Sequence, residues 1–249
     1  MKKHKVKVSL SDSQPFQAGK SNRRQFIKLG GASLAIGGML LTACEDDDEM
    51  MPNPPANGED EVFDLGSGDV GILNYAYALE QLEADFYTRV YNNFYAGITA
   101  EEQQVLTDLY YHEVIHREFF KTAISAAVSD SAQVLPELEF DYGDLDFSNR
   151  DAVLATAKAL EDTGVAAYNG AGRLISSPDY LLIAGKIVSV EARHASAIRS
   201  LINPDSTNFA GDDVVDANGL DVAMSPADIL TVAGQFITTE FTANNLPTS

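Results

Sequence analysis

Apolar residues recur at steps of three and four between positions 69 and 203, and turn-forming residues separate the runs. This spacing is typical of amphipathic helices. It predicts a first helix over 69–94 and a second that begins at Thr99 and ends near Ser129. The inner stripes of these two helices are Leu73, Tyr77, Glu80, Ala84, Tyr87 and Tyr91, and Leu106, Leu109, Glu113, His116, Phe120 and Ile124.

Two further long helices and a short one follow the same pattern. The third is predicted to begin at Ser148. The fourth begins at Ser177, with Pro178 in its first turn, and ends at 203–204. A short fifth helix is predicted over 225–238. The inner stripes of the third and fourth helices are Val153, Ala157, Glu161, Gly164, Tyr168 and Ile175, and Ile183, Ile187, Glu191, His194, Ile198 and Leu201.

The connections between the four long helices are short, long and short. The long one covers 131–147 and has no helical periodicity. In an antiparallel bundle a short loop joins neighbouring helices, whereas a long connection crosses the bundle. The sequence therefore predicts an all-α fold, a ferritin-like antiparallel four-helix bundle with a long crossover between helices 2 and 3, plus a short C-terminal helix.

The first 67 residues have a different character. Arg23 and Arg24 precede an apolar stretch over 29–43, as in a twin-arginine export signal, and "LTAC" ending at Cys44 is similar to a lipoprotein cleavage site. Cys44 is the only cysteine, so lipid attachment explains it better than an ordinary secretory signal with a chance cysteine. We therefore assign 1–44 to an export signal. The segments that follow are an acidic, disordered tether, the bundle and a C-terminal extension, at 45–67, 68–203 and 204–249.

The charge of the chain keeps it soluble, in the simplest interpretation, and it also disfavours one class of partner. It has 17 basic and 37 acidic residues, and eight of the basic ones lie in the first 44 positions. Residues 45–249 therefore hold 9 basic and 36 acidic residues, a formal charge of −27. Such a surface repels nucleic acid and attracts cations, so we expect no nucleic-acid partner.

Two histidines lie three residues after a glutamate. The pairs are Glu113 with His116 and Glu191 with His194. Positions three apart share one face of a helix, so the two side chains of each pair can point to one place. Both pairs interrupt apolar stripes and bring charge towards the core, which is costly without a partner. A divalent metal ion is such a partner.

Glu80 and Glu161 share a second pattern. Each has a tyrosine seven residues later, Tyr87 and Tyr168, and no other glutamate after position 44 does. Seven residues are two helical turns, so each tyrosine lies on the same face as its glutamate. A dinuclear carboxylate site in a helical bundle takes one glutamate from each of two helices and a Glu-x-x-His pair from each of the other two. The four helices of this chain offer that set.

This composition predicts two Fe or Mn ions per chain, because the ligands are oxygen and imidazole without thiolate. Glu113 and Glu191 would bridge the ions, and four carboxylates would balance two divalent charges. Glu83, one turn after Glu80, is the alternative to Glu80, or it contacts the ligands without binding metal. The predicted ligands are Glu80, Glu113, His116, Glu161, Glu191 and His194.

The remaining polar residues of the stripes have simpler interpretations. Tyr87 and Tyr168 are candidate catalytic residues. They could donate hydrogen bonds to the ligands or act as redox side chains. The simpler explanation is a buried tyrosine whose hydroxyl has a hydrogen-bond partner. His112 is expected to face away from the site and Asp162 to face solvent. The third helix contains Gly164, Gly170 and Gly172, which weaken it intrinsically. We expect them to allow close packing rather than to form an access path for a small oxidant.

Two stretches carry a family resemblance. "ILNYAYALEQLEADFY" at 72–87 and "YYHEVIHREFF" at 110–120 resemble the bacterial ferritin-like domain proteins related to plant desiccation-related proteins. "MSPADIL" at 224–230 resembles a C-terminal segment of that family. The resemblance covers the bundle and all six ligand positions. It implies a di-metal protein but not one activity, because ferroxidase, peroxidase, catalase and oxygenase chemistries share these ligands.

The expectation is an exported protein, periplasmic or at the cell surface, held to a membrane by lipid on Cys44. Its two metal ions would react with dioxygen or peroxide in chemistry of ferroxidase or peroxidase/catalase type. A non-enzymatic stress- or desiccation-related module that binds metal or acts structurally is the alternative, and the charge disfavours DNA protection. The sequence leaves open whether the chain forms a homodimer.

Overall fold

The computed structural model describes residues 62–248. The predicted export signal, Cys44 and the tether as far as residue 61 lie outside the described residues. Residues 63–67, which the sequence assigns to the tether, form a strand and the turn into the first helix, and Leu65 among them is fully buried. The elements are β1 (Phe63–Asp64), α1 (Gly68–Asn92), α2 (Ala100–Ala127), α3 (Arg150–Gly172), α4 (Pro178–Ile202), α5 (Pro226–Ala233) and β2 (Phe241–Thr242).

The four long helices pack as a ring. Helix α1 packs against α2 and α3, and α4 packs against the same two helices. Short loops at 93–99 and 173–177 join α1 to α2 and α3 to α4, while residues 128–149 connect α2 to α3. The predicted all-α bundle, with its long crossover and its short C-terminal helix, is confirmed.

Side-chain caps mark the start of helices α2 to α5. Thr99 accepts from the backbone N–H of Glu102, whose side chain accepts in return from the N–H of Thr99, so α2 begins with a capping box. Helix α3 is capped by Asn149 and not by Ser148 as predicted, because Ser148 is hydrogen-bonded to Asp146 instead. The predicted start of the fourth helix at Ser177 is observed, and Ser225 caps the fifth helix.

Two buried amides on α1 hold the crossover in place. The Asn74 side chain donates to the carbonyl of Gln133 and accepts from the N–H of Leu135. Gln81, two turns later, makes the same pair of bonds within 136–138. These amides satisfy backbone groups of a segment that has no regular partner strand over most of its length. The crossover is therefore fixed against the helix that carries the first candidate ligand.

The C-terminal extension is tied to the bundle by Arg199. This arginine is only 3% exposed, and its Nη2 lies 2.6 Å from Asp162 and 2.9 Å from Asp213. The expectation that Asp162 faces solvent is wrong, because its carboxylate is the partner that this buried guanidinium requires. A buried arginine without such partners would carry a large desolvation cost.

The two ends of the described chain meet in a short parallel sheet. Phe63 pairs with Phe241, and Asp64 accepts hydrogen bonds from the Thr242 hydroxyl and the Asn245 amide. The bond from Thr242, together with the others that Asp64 accepts, outweighs desolvation and lowers the pKa of Asp64 to about 2. None of the helices in residues 62–248 is long and apolar enough to span a membrane.

Gly170 allows the extension to lie directly on α3. A Cβ at this position would be 1.6 Å from the carbonyl oxygen of Met224, whose N–H donates to the carbonyl of Ala166. Gly172, one half-turn later, has ordinary space, with its nearest neighbour 3.8 Å away on Leu181. The close packing expected of the glycines is thus required at Gly170 and not at Gly172.

We predict that Gly170→Ala destabilises the protein by about 1–3 kcal/mol, because the added methyl group collides with backbone that cannot rotate away. The matched control is Gly172→Ala, which should be neutral or stabilising by up to about 1 kcal/mol through the unfolded chain. Chemical denaturation of the two variants measures both effects. Equal stability of Gly170→Ala and the parent protein would contradict the packing described.

Candidate metal centre

Six buried side chains converge at the middle of the bundle. They form two groups that could each hold a metal ion, and within each group the candidate ligand atoms lie within 4.8 Å of one another. One group contains Glu80 and His116, the other contains Glu161 and His194, and both share Glu113 and Glu191. The four glutamates are fully buried, and the two histidine side chains are 12% and 4% exposed.

The two shared glutamates each point one oxygen at each histidine. Glu113 has Oε1 at 2.8 Å from Nδ1 of His194 and Oε2 at 3.5 Å from Nδ1 of His116. Glu191 has Oε1 at 2.9 Å from Nδ1 of His116 and Oε2 at 3.6 Å from Nδ1 of His194. A carboxylate placed in this way can bridge two ions, one on each side.

The other two glutamates serve one side each. Oε2 of Glu80 is 3.4 Å from Nδ1 of His116, and Oε2 of Glu161 is 3.4 Å from Nδ1 of His194. Although these contacts are close, eight of the buried atoms of the six side chains have no hydrogen-bond partner within residues 62–248. Clustered ligand atoms of this kind are what a carboxylate–imidazole set needs to hold a divalent cation.

Tyr87 and Tyr168 bond across the bundle. The Tyr87 hydroxyl donates to Oε1 of Glu161 at 2.6 Å, and the Tyr168 hydroxyl donates to Oε1 of Glu80. Each tyrosine therefore bonds to the glutamate of the other helix. In each helix the glutamate precedes the tyrosine, and each glutamate lies level with the tyrosine of the other helix. Helices α1 and α3 must therefore run in opposite directions.

Glu83 lies outside both ligand groups. It is 3% exposed, and its Oε1 would be 2.9 Å from a Cβ at Gly164. Gly164 is three residues after Glu161, just as Glu83 is three residues after Glu80. The structure therefore places Glu83 beside the ligands, and the glycine on the facing helix leaves the space that its carboxyl group occupies.

His112 is an exposed histidine, as expected, but it does not face away from the site, because it contacts His194. Its Nδ1 lies 2.9 Å from Nε2 of His194, and the two rings stack with their centroids 5.1 Å apart. Nδ1 of His194 faces the glutamates, so its Nε2 donates to His112 when the ring is an imidazolium or when Nδ1 holds a metal ion. His112 is four residues before His116, so the two histidines share one face of the helix. This spacing could have indicated that His112 lies near the ligands.

Burial dominates the pKa values of the carboxyl groups. Desolvation and the charge of Glu191 raise the pKa of Glu113 to about 8, and desolvation raises that of Glu161 to about 7. Burial, with the four charges around it, raises the pKa of Glu83 well above its usual range. Glu191 is the exception: burial would raise its pKa, but contacts with both histidines outweigh this and lower it to about 2.

The pKa values of the histidines and tyrosines are all raised, so these groups hold their protons more tightly than usual. Burial would lower the pKa of His116, but three glutamates around it raise the value to about 12, and the pKa of His194 is raised for the same reason. Burial and the neighbouring carboxylates raise the pKa of Tyr87 and Tyr168 well above 10. A metal ion must therefore displace protons from the histidines, whereas the tyrosines remain neutral donors.

Comparison with known families identifies the domain that contains this cluster. A sequence model described as a ferritin-like domain matches residues 68–204, which cover α1 to α4 and all six side chains. A comparison with curated proteins finds no match.

The raised pKa values predict that the metal-free protein loses stability as pH rises. Between pH 4.5 and about 8, Glu113 is protonated in the native state and ionised in the unfolded chain. Between pH 6.5 and about 12, His116 is likewise protonated only in the native state. Since the native state binds more protons there, the free energy of unfolding falls with pH, by about 1.4 kcal/mol per pH unit for each such proton. Glu191, whose pKa is lowered, adds stability only as pH rises towards 4.5.

Thermal denaturation with a chelator should therefore give a lower Tm at pH 8 than at pH 6. A divalent metal should raise Tm more at the higher pH, because fewer protons compete with it. A Tm that is constant or rises over this interval would contradict the charge arrangement described.

The bond from His194 to His112 predicts that the two ion positions respond differently to one substitution. Removing the acceptor in His112→Ala should weaken binding on the Glu161–His194 side roughly 10–100-fold and leave the His116 side unchanged. Stepwise titration with Mn(II) or anaerobic Fe(II) separates the two events. His112→Asn, which keeps an acceptor, should restore part of the loss, and equal weakening of both steps would count against the orienting role.

Proposed function

The chain belongs to the ferritin-like domain family, and on that premise we propose that it binds two Fe or Mn ions and reacts them with dioxygen or peroxide. The chemistry would be of ferroxidase or peroxidase/catalase type. The observation that supports this most directly is the sharing of Glu113 and Glu191 between two adjacent sets of ligand atoms. A single-ion site or a structural ion pair has no use for two carboxylates placed between two imidazoles.

Each residue has a role in this proposal. Glu113 and Glu191 would bridge the ions, and the four carboxylates would balance the charge of two divalent cations. Glu80 with His116 would complete one ion's ligands and Glu161 with His194 the other's. When bound, the ions supply one-electron steps between the +2 and +3 states, which the side chains of this chain do not provide.

The tyrosines would orient the terminal ligands. In both Glu80 and Glu161 the hydroxyl bond occupies Oε1, while Oε2 has no hydrogen-bond partner within the described chain. Each of these glutamates would therefore have one oxygen free for an ion. A second role for Tyr87 and Tyr168 as redox side chains is compatible with their positions beside the ligands.

The surroundings of the cluster favour controlled reaction with a small oxidant. The four glutamates are fully buried, so bulk water is excluded and electrostatic interactions inside the cluster are strengthened. The charge of −27 over residues 45–249 would favour the approach of metal cations. The same charge would disfavour nucleic acid as a partner.

We propose that the protein works outside the cytoplasm, anchored by lipid on Cys44. Arg23 and Arg24 support export by the twin-arginine route, and the sequence around Cys44 supports lipid attachment. The twin-arginine route exports folded proteins, so metal could be loaded before export. A lipid-anchored module with a metal-binding or structural role in stress or desiccation is the second candidate, supported by the family resemblance of 72–87 and 110–120.

Metal content tests the proposal first. The purified protein should hold about two Fe or Mn ions per chain. Glu113→Gln/Glu191→Gln should hold fewer than one, because it removes the charge of both bridging groups while keeping their shape. The matched control is Glu118→Gln on the exposed side of α2, which should keep the full content. Elemental analysis of the three proteins measures this.

Oxidation assays then separate the two candidate functions. A di-metal oxidoreductase should oxidise added Fe(II) with dioxygen or consume peroxide, and Glu113→Gln/Glu191→Gln should lose this activity while circular dichroism shows a folded bundle. Full metal content without turnover would favour the stress-related module. Equal metal content in the parent and the double variant would overturn the site assignment.

A further inference from the structure

An apolar cavity lies in the bundle beside the metal cluster. All four long helices contribute to its lining, with residues that include Leu79 of α1, Phe120 of α2, Tyr168 of α3 and Ala184 of α4. This apolar cavity is separate from the ligand groups, since none of the six candidate ligands lines it. Its walls are almost entirely carbon.

Its volume limits what it can hold. The cavity measures about 50 Å³. An apolar cavity of about 150 Å³ accommodates a molecule as large as benzene, whereas a single water needs only about 10–15 Å³. The cavity is therefore too small for an organic substrate of ordinary size, and it has room for a molecule of two or three atoms.

Its chemistry selects against polar occupants. Tyr75 lines the cavity and offers at most one free hydroxyl to an occupant, while the hydroxyl of Tyr168 is already donated to Glu80. A buried water requires two to four polar partners. Hydrogen peroxide has two O–H donors, and each one left unsatisfied in such a place costs about 1–3 kcal/mol. An apolar diatomic molecule has no such cost.

Tyr168 connects the cavity to the cluster. Its ring forms part of the cavity wall, and its hydroxyl donates to Glu80. Leu79, the residue before Glu80, also lines the cavity. A molecule held in the cavity is therefore separated from the ligand groups by little more than one side chain.

We propose that the apolar cavity is a binding site for dioxygen, held beside the metal centre. This inference rests on the proposed function and deepens it, because it makes dioxygen, rather than peroxide, the oxidant that the protein is built to receive. In the reaction assayed, two ferrous ions each give one electron. Dioxygen takes up these two electrons, with two protons from solvent, and leaves as hydrogen peroxide.

Xenon is the probe for the cavity itself, because it is apolar and binds in dry cavities without chemistry. In crystals of the full chain under xenon pressure, or in ¹²⁹Xe spectra, xenon should occupy this cavity with or without metal. The blocking variant is Ala167→Leu, which puts a larger side chain into the cavity wall. The matched control is Ala166→Leu on the same helix, since Ala166 lines a different groove, beside Arg199. Xenon should be lost from the first variant and kept in the second.

Kinetics then test delivery of the oxidant. Fe(II) oxidation by dioxygen should fall roughly tenfold in Ala167→Leu and stay near the parent rate in Ala166→Leu, while oxidation by added peroxide should be similar in all three. If Ala167→Leu does not fold, Ala123→Leu, at a partly exposed position of the same cavity, replaces it.

The outcomes separate this inference from the proposed function. Absence of xenon from the cavity, or an unchanged dioxygen rate in a folded blocking variant, overturns the dioxygen site while the metal centre stands. Xenon in the cavity of a protein that binds no metal overturns the proposed function and, with it, the assignment of dioxygen as oxidant.

Discussion

The burial of four glutamates at one level of an apolar bundle is the constraint on which the rest of the structure depends. Each carboxylate in such a place has a large desolvation cost, and two histidinium ions can compensate only two of the four. The helices must therefore be held in one register, where every carboxylate meets an imidazole, a tyrosine or a cation. The crossed bonds of Tyr87 and Tyr168 hold α1 and α3 in that register. Antiparallel α1 and α3 in turn require a crossover that runs the length of the bundle.

The two halves of the site are related but not equivalent. Glu80 and Tyr87 on α1 correspond to Glu161 and Tyr168 on α3, yet Gly164 stands where the first half has Glu83. His112 adds a second difference, because within the described chain it bonds only to the histidine of the Glu161 side. Two ions bound here would therefore differ in the groups around them. The Glu161–His194 side, which His112 contacts, would hold its ion in a more firmly oriented set of ligands.

Periodicity and spacing were sufficient to predict the helices, their order and the six side chains that the structure brings together, because all of these are local properties of a helix face. The contacts that sequence reasoning missed join segments far apart in the chain. Asn74 and Gln81 bond to the crossover, and Asp162 pairs with Arg199. A buried amide or carboxylate on a helix does not identify its partner, because the partner depends on how loops return to the bundle. The start of the third helix differed because two neighbouring side chains compete to cap it, at 148–149. The fifth helix ends at Ala233, five residues before the predicted end.

The electrostatics favour a functional over a structural reason for the cluster. Well-packed apolar residues of similar volume are often as stabilising as buried charges, or more so, and this cluster also leaves eight buried atoms without hydrogen-bond partners in the described chain. A module whose only task was to fold would gain from replacing them. The tyrosines, His112 and the space at Gly164 all support the positions of these costly groups rather than the core around them. Supporting contacts of this kind are what a metal centre requires, since ligands must keep their geometry while protons and cations exchange.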